Sequence, residues 1–275
     1  MNANMHAWMH EGFKTFLNYY PNKDFYGDSS RESRSFDADA IANEMLSSKN
    51  AQIIDTRADQ ALPQNMGFLE YIKPAFGLRL FGDFIVGTRL FDPAFKAYIR
   101  RWAFKHPLPS DFFRIIDDHT GEDLSWFWCG WFYSTHILDQ AADSVVADSG
   151  VTLIYLSNVR RLVMPTELRV TFAGGTVMDY KLPVQAWYDG NHYSYPVYGS
   201  ANVVKVVVYP DHELPDVNRS NNVREFHRGE KYREWGMGVL ARHSPTRTTD
   251  WIRLGKECLY RRAAGKWWLR RDNLW

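Results

Sequence analysis

Residues 141–158 read AADSVVADSGVTLIYLSN, and the chain changes character inside this stretch. Before it, apolar residues recur every three or four positions. After Gly150 they alternate, as in VTLIYLSN. A period near 3.6 marks a helix with one buried face, and a period of 2 marks a strand with one buried face. The reading is helical to about Val146 and stranded from Val151, which makes the protein α+β, helices first.

Working toward the amino terminus, each helix shows a start or a stop. Residues 92–107, DPAFKAYIRRWAFKHP, place Phe95, Tyr98, Ile99 and Trp102 on one face. Asp92 is the expected cap, Pro93 the first helical residue, and His106-Pro107 the end. Ser110 is the expected cap of the next helix, which stops at Gly121. A last helix, broken near Gly130, is expected over 122–146. Asp37 is set to cap a helix carrying Ile41, Met45 and Leu46. Phe68, Leu69, Ile72, Phe76 and Leu80 have helical spacing, and Pro74 among them must sit in a first turn or kink the helix. Residues 11–20 show a stripe of Phe13, Phe16, Leu17 and Tyr20 that Pro21 should stop, and residues 22–36 read as a loop.

Toward the carboxyl terminus, Leu168, Val170 and Phe172 alternate with polar residues, and Ala173-Gly174-Gly175 reads as a hairpin turn. Further short strands follow in 185–199 and 202–210. Their spacing suggests a small antiparallel β-sandwich, closed by the polar loop 211–222. From Arg224 to Trp275 the texture changes again: 13 Lys/Arg stand against 6 Asp/Glu, with five of the eleven tryptophans. Arg and Trp together could stack on bases, but no nucleic-acid module surrounds them, so nucleic acid is not the expected partner. The expected organisation is therefore 1–148 helical, 149–223 sandwich, and 224–275 a basic Trp/Arg-rich tail.

The whole chain carries a net charge of only +1, so no global field favours an anionic polymer or membrane surface. No apolar run is long enough to cross a bilayer. The two cysteines, Cys129 and Cys258, set up no framework and read as unpaired thiols. No secretory signal opens the chain. Residues of core character begin at Trp8, close to Met1, which suggests a piece of something longer.

Residues 6–11 raise a metal. His6 and His10 are four apart, as helical zinc ligands are. In a zincin helix Glu follows the first His as general base, but here Ala7 does, so this is not that motif. His6 is expected to be exposed near a free end.

Glu11 is another matter. Residues 8–16, WMHEGFKTF, resemble the segment W-[LM]-[ND]-E-G-[FL]-x-x-[YF] of the zinc aminopeptidases typified by aminopeptidase N (peptidase family M-one, gluzincins). His10 replaces the usual Asn or Asp. The resemblance implies that Glu11 is the third zinc ligand. Residues 67–81, GFLEYIKPAFGLRLF, resemble the family's Y-x-K-[GP]-A segment, whose Tyr hydrogen-bonds the oxyanion of the tetrahedral intermediate; that role falls on Tyr71. The runs RWAFKHP and WFWCGWFY resemble the bacterial branch, with Cys129 where a larger polar residue, often Arg, is usual. The resemblance covers roughly residues 5–223. It implies the helical second half of a thermolysin-like catalytic domain followed by a β-sandwich, zinc as cofactor, and peptides as substrates.

HExxH, which supplies two zinc ligands and the base, occurs nowhere in the chain, and neither does the G-[AG]-M-E-N segment. The expectation is a metallo-aminopeptidase fragment that does not bind zinc stably and is inactive alone. The alternatives are a non-catalytic protein-interaction module, or a half-enzyme completed by a separate HExxH-bearing chain docked on the apolar face of helix 11–20. Nothing in the residues specifies a compartment.

Overall fold

In a computed structural model the described residues are 4–27, 36–148, 150–199 and 202–226, together with the backbone of three short strands between 251 and 270. The helices are α1 (Ala7–Tyr26), α2 (Ala38–Ser47), α3 (Pro63–Met66), α4 (Lys73–Leu80), α5 (Thr88–Trp102), α6 (Pro109–Thr120) and α7 (Ser125–Phe127). Three π-helical segments join this run: Gly67–Ile72, Phe81–Ile85 and Trp128–Phe132. The chain divides into two units. The first is Met1–Asp139 with Arg160–Met164 and Asp211–Val217; the second is Gln140–Val159, Pro165–Pro210 and Asn218–Trp275.

In the first unit some end signals act as expected. Asp37 accepts from the Ala40 amide at 2.8 Å, and Gly121 ends α6 in the left-handed region at φ 71°. Others are overridden. Helix α1 does not stop at Pro21 but begins at Ala7 and runs on to Tyr26, with Pro21 inside it. A proline orphans the carbonyl four residues earlier. Here that is Leu17, which is half exposed, so water can satisfy the orphan. The buried stripe is also shifted: Trp8, Met9, Phe13, Phe16 and Tyr19 are buried, whereas Leu17 and Tyr20 face outward.

Helix α5 begins at Thr88, so Asp92 does not cap it and Pro93 lies inside. The orphaned carbonyl there is that of exposed Arg89. For α6, Pro109 is the first helical residue, and Asp111 reaches back to accept from the Leu108 amide at 2.9 Å. Ser110 is therefore not the cap. Pro74 takes the first-turn position, at the start of α4 directly after a π segment.

The core of this unit is aromatic. Trp8 stacks on Phe113 at 6.0 Å and meets Phe132 at 4.7 Å. Phe13 meets Phe95, Tyr98 and Phe112, and Phe16 meets Phe91 and Phe95. Such edge and offset contacts add to the area each ring buries. The apolar face of α1 is thus filled by the protein's own rings, and the reading of that face as a docking surface is corrected. Cys129, read as an unpaired thiol, is buried and disulfide-bonded.

The second unit corrects the helical reading of 122–146 at its carboxyl end. Residues Gln140–Asp148 form strand β1, paired antiparallel with β2 (Val151–Asn158). The register shifts between Ala142 and Ser144, a bulge that breaks strict alternation and leaves Ala141 and Ala142 both buried. That break hides the period-2 signal. The other strands are β3 (Thr166–Phe172), β4 (Val177–Leu182), β5 (His192–Tyr198), β6 (Val203–Val208) and β7 (Val223–Glu225). They make two antiparallel sheets, ordered β1-β2-β5 and β4-β3-β6-β7. The expected hairpin at Gly174-Gly175 links β3 to β4.

Leu168, Val170 and Val206 from one sheet and Val145, Ile154 and Leu156 from the other are buried. Gln140 ties them with polar bonds: its Oε1 accepts from Thr166 and from the Tyr209 hydroxyl, and its carbonyl from Asn222 Nδ2. Strands β8 (Trp251–Arg253), β9 (Leu259–Ala263) and β10 (Lys266–Arg270) form a third antiparallel sheet. Trp235 and Trp275 of the basic Trp/Arg-rich tail lie outside the described residues.

Candidate functional site

The two residues singled out for catalysis, Glu11 and Tyr71, stand sixty positions apart in sequence and meet in the structure. Glu11 lies in the second turn of α1, not at its first turn. Tyr71 lies in the π segment Gly67–Ile72. What brings the two elements together is Gly12, the residue after Glu11, packed against Pro74 and Glu70 on either side of Tyr71. A Cβ on Gly12 would lie 2.8 Å from Pro74 Cγ and 3.3 Å from the Glu70 carbonyl oxygen. Only glycine allows that approach, since real Cβ atoms do not come so close to carbon. The Glu-Gly pair and the Y-x-K-P run are therefore two halves of one helix crossing.

At the crossing, Glu11 Oε1 pairs with His10 Nδ1 at 3.0 Å. Its Oε2 is buried and makes no hydrogen bond; the nearest ammonium, Lys14 Nζ, is 3.8 Å away. Partial burial of Tyr71, then the charges of Glu11 and Glu70, and Glu11 as acceptor all hold the phenol proton more tightly than usual. The phenol is therefore protonated at neutral pH, the form that can donate to an oxyanion. It is partly exposed, so a ligand can reach it.

Glu70 is the residue that sequence reasoning missed. It is 92% buried, and its Oε1 has no hydrogen-bond partner. Burial first, and then the charge of Glu11, push its carboxyl above the usual carboxylate range. A π turn widens the helix and changes which consecutive residues share a side. A 3.6-residue period gives no hint that Glu70 and Tyr71 both lie beside Glu11.

The histidines part company. His6 Nδ1 is 2.7 Å from Asp55 Oδ1, which also accepts from Trp8 Nε1 at 2.9 Å. His6 is thus largely buried, and the expectation of an exposed end residue is corrected: Asp55 pins the start of α1. His10 is exposed and turned to Glu11. Among the described residues no three His, Cys, Asp or Glu side chains come together to hold a metal ion. Zinc takes three protein ligands at a hydrolytic centre. The donors of the described residues offer the carboxylate of Glu11 and do not by themselves fit a complete zinc centre.

No family model matches the chain, and no curated protein matches it. Among solved structures, the aminopeptidase A of Legionella pneumophila, crystallised with aspartic acid, is similar over 77% of this chain, with a TM-score of 0.55 and 17% identity. The chain spans 24% of that enzyme's length. The likeness is one of fold. No described helix is long and apolar enough to cross a membrane.

Proposed function

We propose that the chain is one part of a zinc aminopeptidase catalytic unit, the part that contributes the acidic ligand and the oxyanion donor. In this reading Glu11 is one carboxylate ligand of a zinc ion whose other ligands come from an HExxH segment outside this chain. Tyr71 donates its hydroxyl proton to the oxyanion formed on the scissile carbonyl. The substrate class is the amino-terminal residue of a peptide.

The observation that carries the reading is the meeting of Glu11 and Tyr71. A carboxylate with an oxygen left unbonded and a protonated phenol beside it form an acceptor and a donor at one place. Two residues singled out from separate motifs, sixty positions apart, come together at one helix crossing. The fold shared with a Legionella aminopeptidase supports the class of reaction. The donor count stands against the isolated chain as an enzyme: without a base or a second and third ligand, Tyr71 has no intermediate to stabilise.

The test is hydrolysis of an aminoacyl-amide by the purified chain with added zinc, alone and mixed with an HExxH-bearing half. The chain alone is expected to give no turnover, and the mixture to give turnover that Glu11→Ala abolishes. Turnover by the chain alone, lost in Glu11→Ala, would refute the split-site reading. A mixture that neither co-purifies nor turns over would refute the complementation.

A further inference from the structure

Two residues beyond Tyr71, on the opposite side of the helical run, Lys73 points into the protein. It is 97% buried. Its backbone carbonyl accepts from Trp131 Nε1 at 3.0 Å, and its Nζ lies 5.5 Å from the centre of the Trp131 ring. That ring face is the one attractive contact the ammonium has: among the described residues Nζ makes no ion pair and no hydrogen bond. A buried charge without a counter-charge is costly, and one ring face offsets only part of that cost.

Lys73 lines a cavity of about 20 Å³, with Glu44, Gln52, Asn65, Phe68 and Thr135 among its walls. That is somewhat more than one water requires. The amides on the wall are already engaged. Gln52 Oε1 accepts from the Leu62 amide at 2.8 Å and its Nε2 donates to the Gln60 carbonyl. Asn65 Nδ2 donates to the Asn50 carbonyl. Neither can supply negative charge. Lys73 and Arg161 also disfavour the protonated form of half-buried His136, after burial itself. Glu44 is the one carboxylate on the cavity wall, and it belongs to a solvent-exposed residue of α2.

We infer that this cavity is a binding site for a small carboxylate monoanion, held by the Lys73 ammonium. A carboxylate is the class indicated because it is planar, singly charged and small enough for the space. It would accept from Nζ and leave the apolar wall of Phe68 undisturbed. Burial lowers the Lys73 amine to about 8, and an anion bound beside it would restore the charged form. The site is independent of Glu11 and Tyr71 and of the aminopeptidase reading.

Sodium formate is the probe, with sodium chloride at equal ionic strength as reference. Brief acetylation with acetic anhydride, read by peptide mass spectrometry, reports the free amine at each lysine. Formate is expected to slow acetylation of Lys73 by the factor 1 + [L]/Kd, about fivefold at four times Kd, and to leave other lysines unchanged. It is also expected to raise the melting temperature of the native chain and not that of Lys73→Met, whose apolar side chain of similar length keeps the packing. The inference is overturned if chloride acts as well as formate, or if Lys73→Met keeps the thermal response. It is equally overturned if formate has no effect; faster Lys73 acetylation in Glu44→Gln would then name Glu44 as the counter-ion.

Discussion

Gly12 and Pro74 touch so closely that a side chain on Gly12 would stand 2.8 Å from Pro74 Cγ. This one contact sets the distance between α1 and the helical run that carries Tyr71. Gly12 lies inside a helix, where glycine costs up to about 1 kcal/mol relative to alanine. If the helices were further apart, Gly12→Ala would stabilise the protein. At this distance overpacking decides, and Gly12→Ala is expected to destabilise by about 1–3 kcal/mol. The urea midpoint gives the sign. A stabilised variant would show that the crossing is looser than described and that Glu11 and Tyr71 are not held together.

A second glycine guards the other side of the same run. A Cβ on Gly77 would overlap the Trp131 ring, 2.2 Å from Nε1. That nitrogen donates to the Lys73 carbonyl inside the core. Gly77→Ala must push the indole away and break a buried hydrogen bond, a loss of about 1–3 kcal/mol on top of the strain. It is expected to lower the urea midpoint more than Gly12→Ala does. Equal or smaller loss would mean that the indole can move aside freely.

Much of this was readable from residues, and the failures have local causes. Asp37 and Gly121 were read correctly because a cap depends on its own side chain or its own φ. The hairpin at Gly174-Gly175 was legible for the same reason. Pro21 and Pro93 were misread as boundaries because whether a proline ends a helix depends on whether water reaches the orphaned carbonyl, which is a property of the fold. Strand β1 was hidden by its bulge at Asp143, where pairing with β2 overrides local pattern. At the site, Glu11 and Tyr71 came from motif resemblance, while Glu70 needed the π turn to be seen. His6 looked free because its partner, Asp55, is 49 residues away.

The phenol prediction separates a positioning role from a structural one. Tyr71 is partly exposed and packs little, so Tyr71→Phe is expected to leave the urea midpoint within about 0.5 kcal/mol. In the two-part enzyme, removing one oxyanion donor is expected to cost about 10²–10³ in kcat with little change in KM. Hydrolysis of an aminoacyl-amide by the mixed halves measures it. Unchanged kcat would remove Tyr71 from the chemistry, and a large loss of stability would assign it to the core.

Asp117 gives the pH prediction. Its Oδ1 accepts from Trp128 Nε1 at 2.8 Å, yet burial, with smaller contributions from Asp123 and Asp118, raises its pKa to about 7. The unfolded chain releases this proton near the ordinary value of about 3.9. Between about pH 4 and 7 the folded state therefore binds more protons than the unfolded state, and stability falls as pH rises. Above about 7 the penalty is complete, on the order of a few kcal/mol. Asp117→Asn keeps an acceptor for Trp128 and removes the charge. It is expected to match the native chain near pH 4 and to exceed it at pH 8. Taking the difference between the two proteins in urea at pH 4, 6 and 8 cancels every other titrating group. A difference that does not grow with pH would mean that Asp117 is ionised throughout and solvated better than its burial indicates.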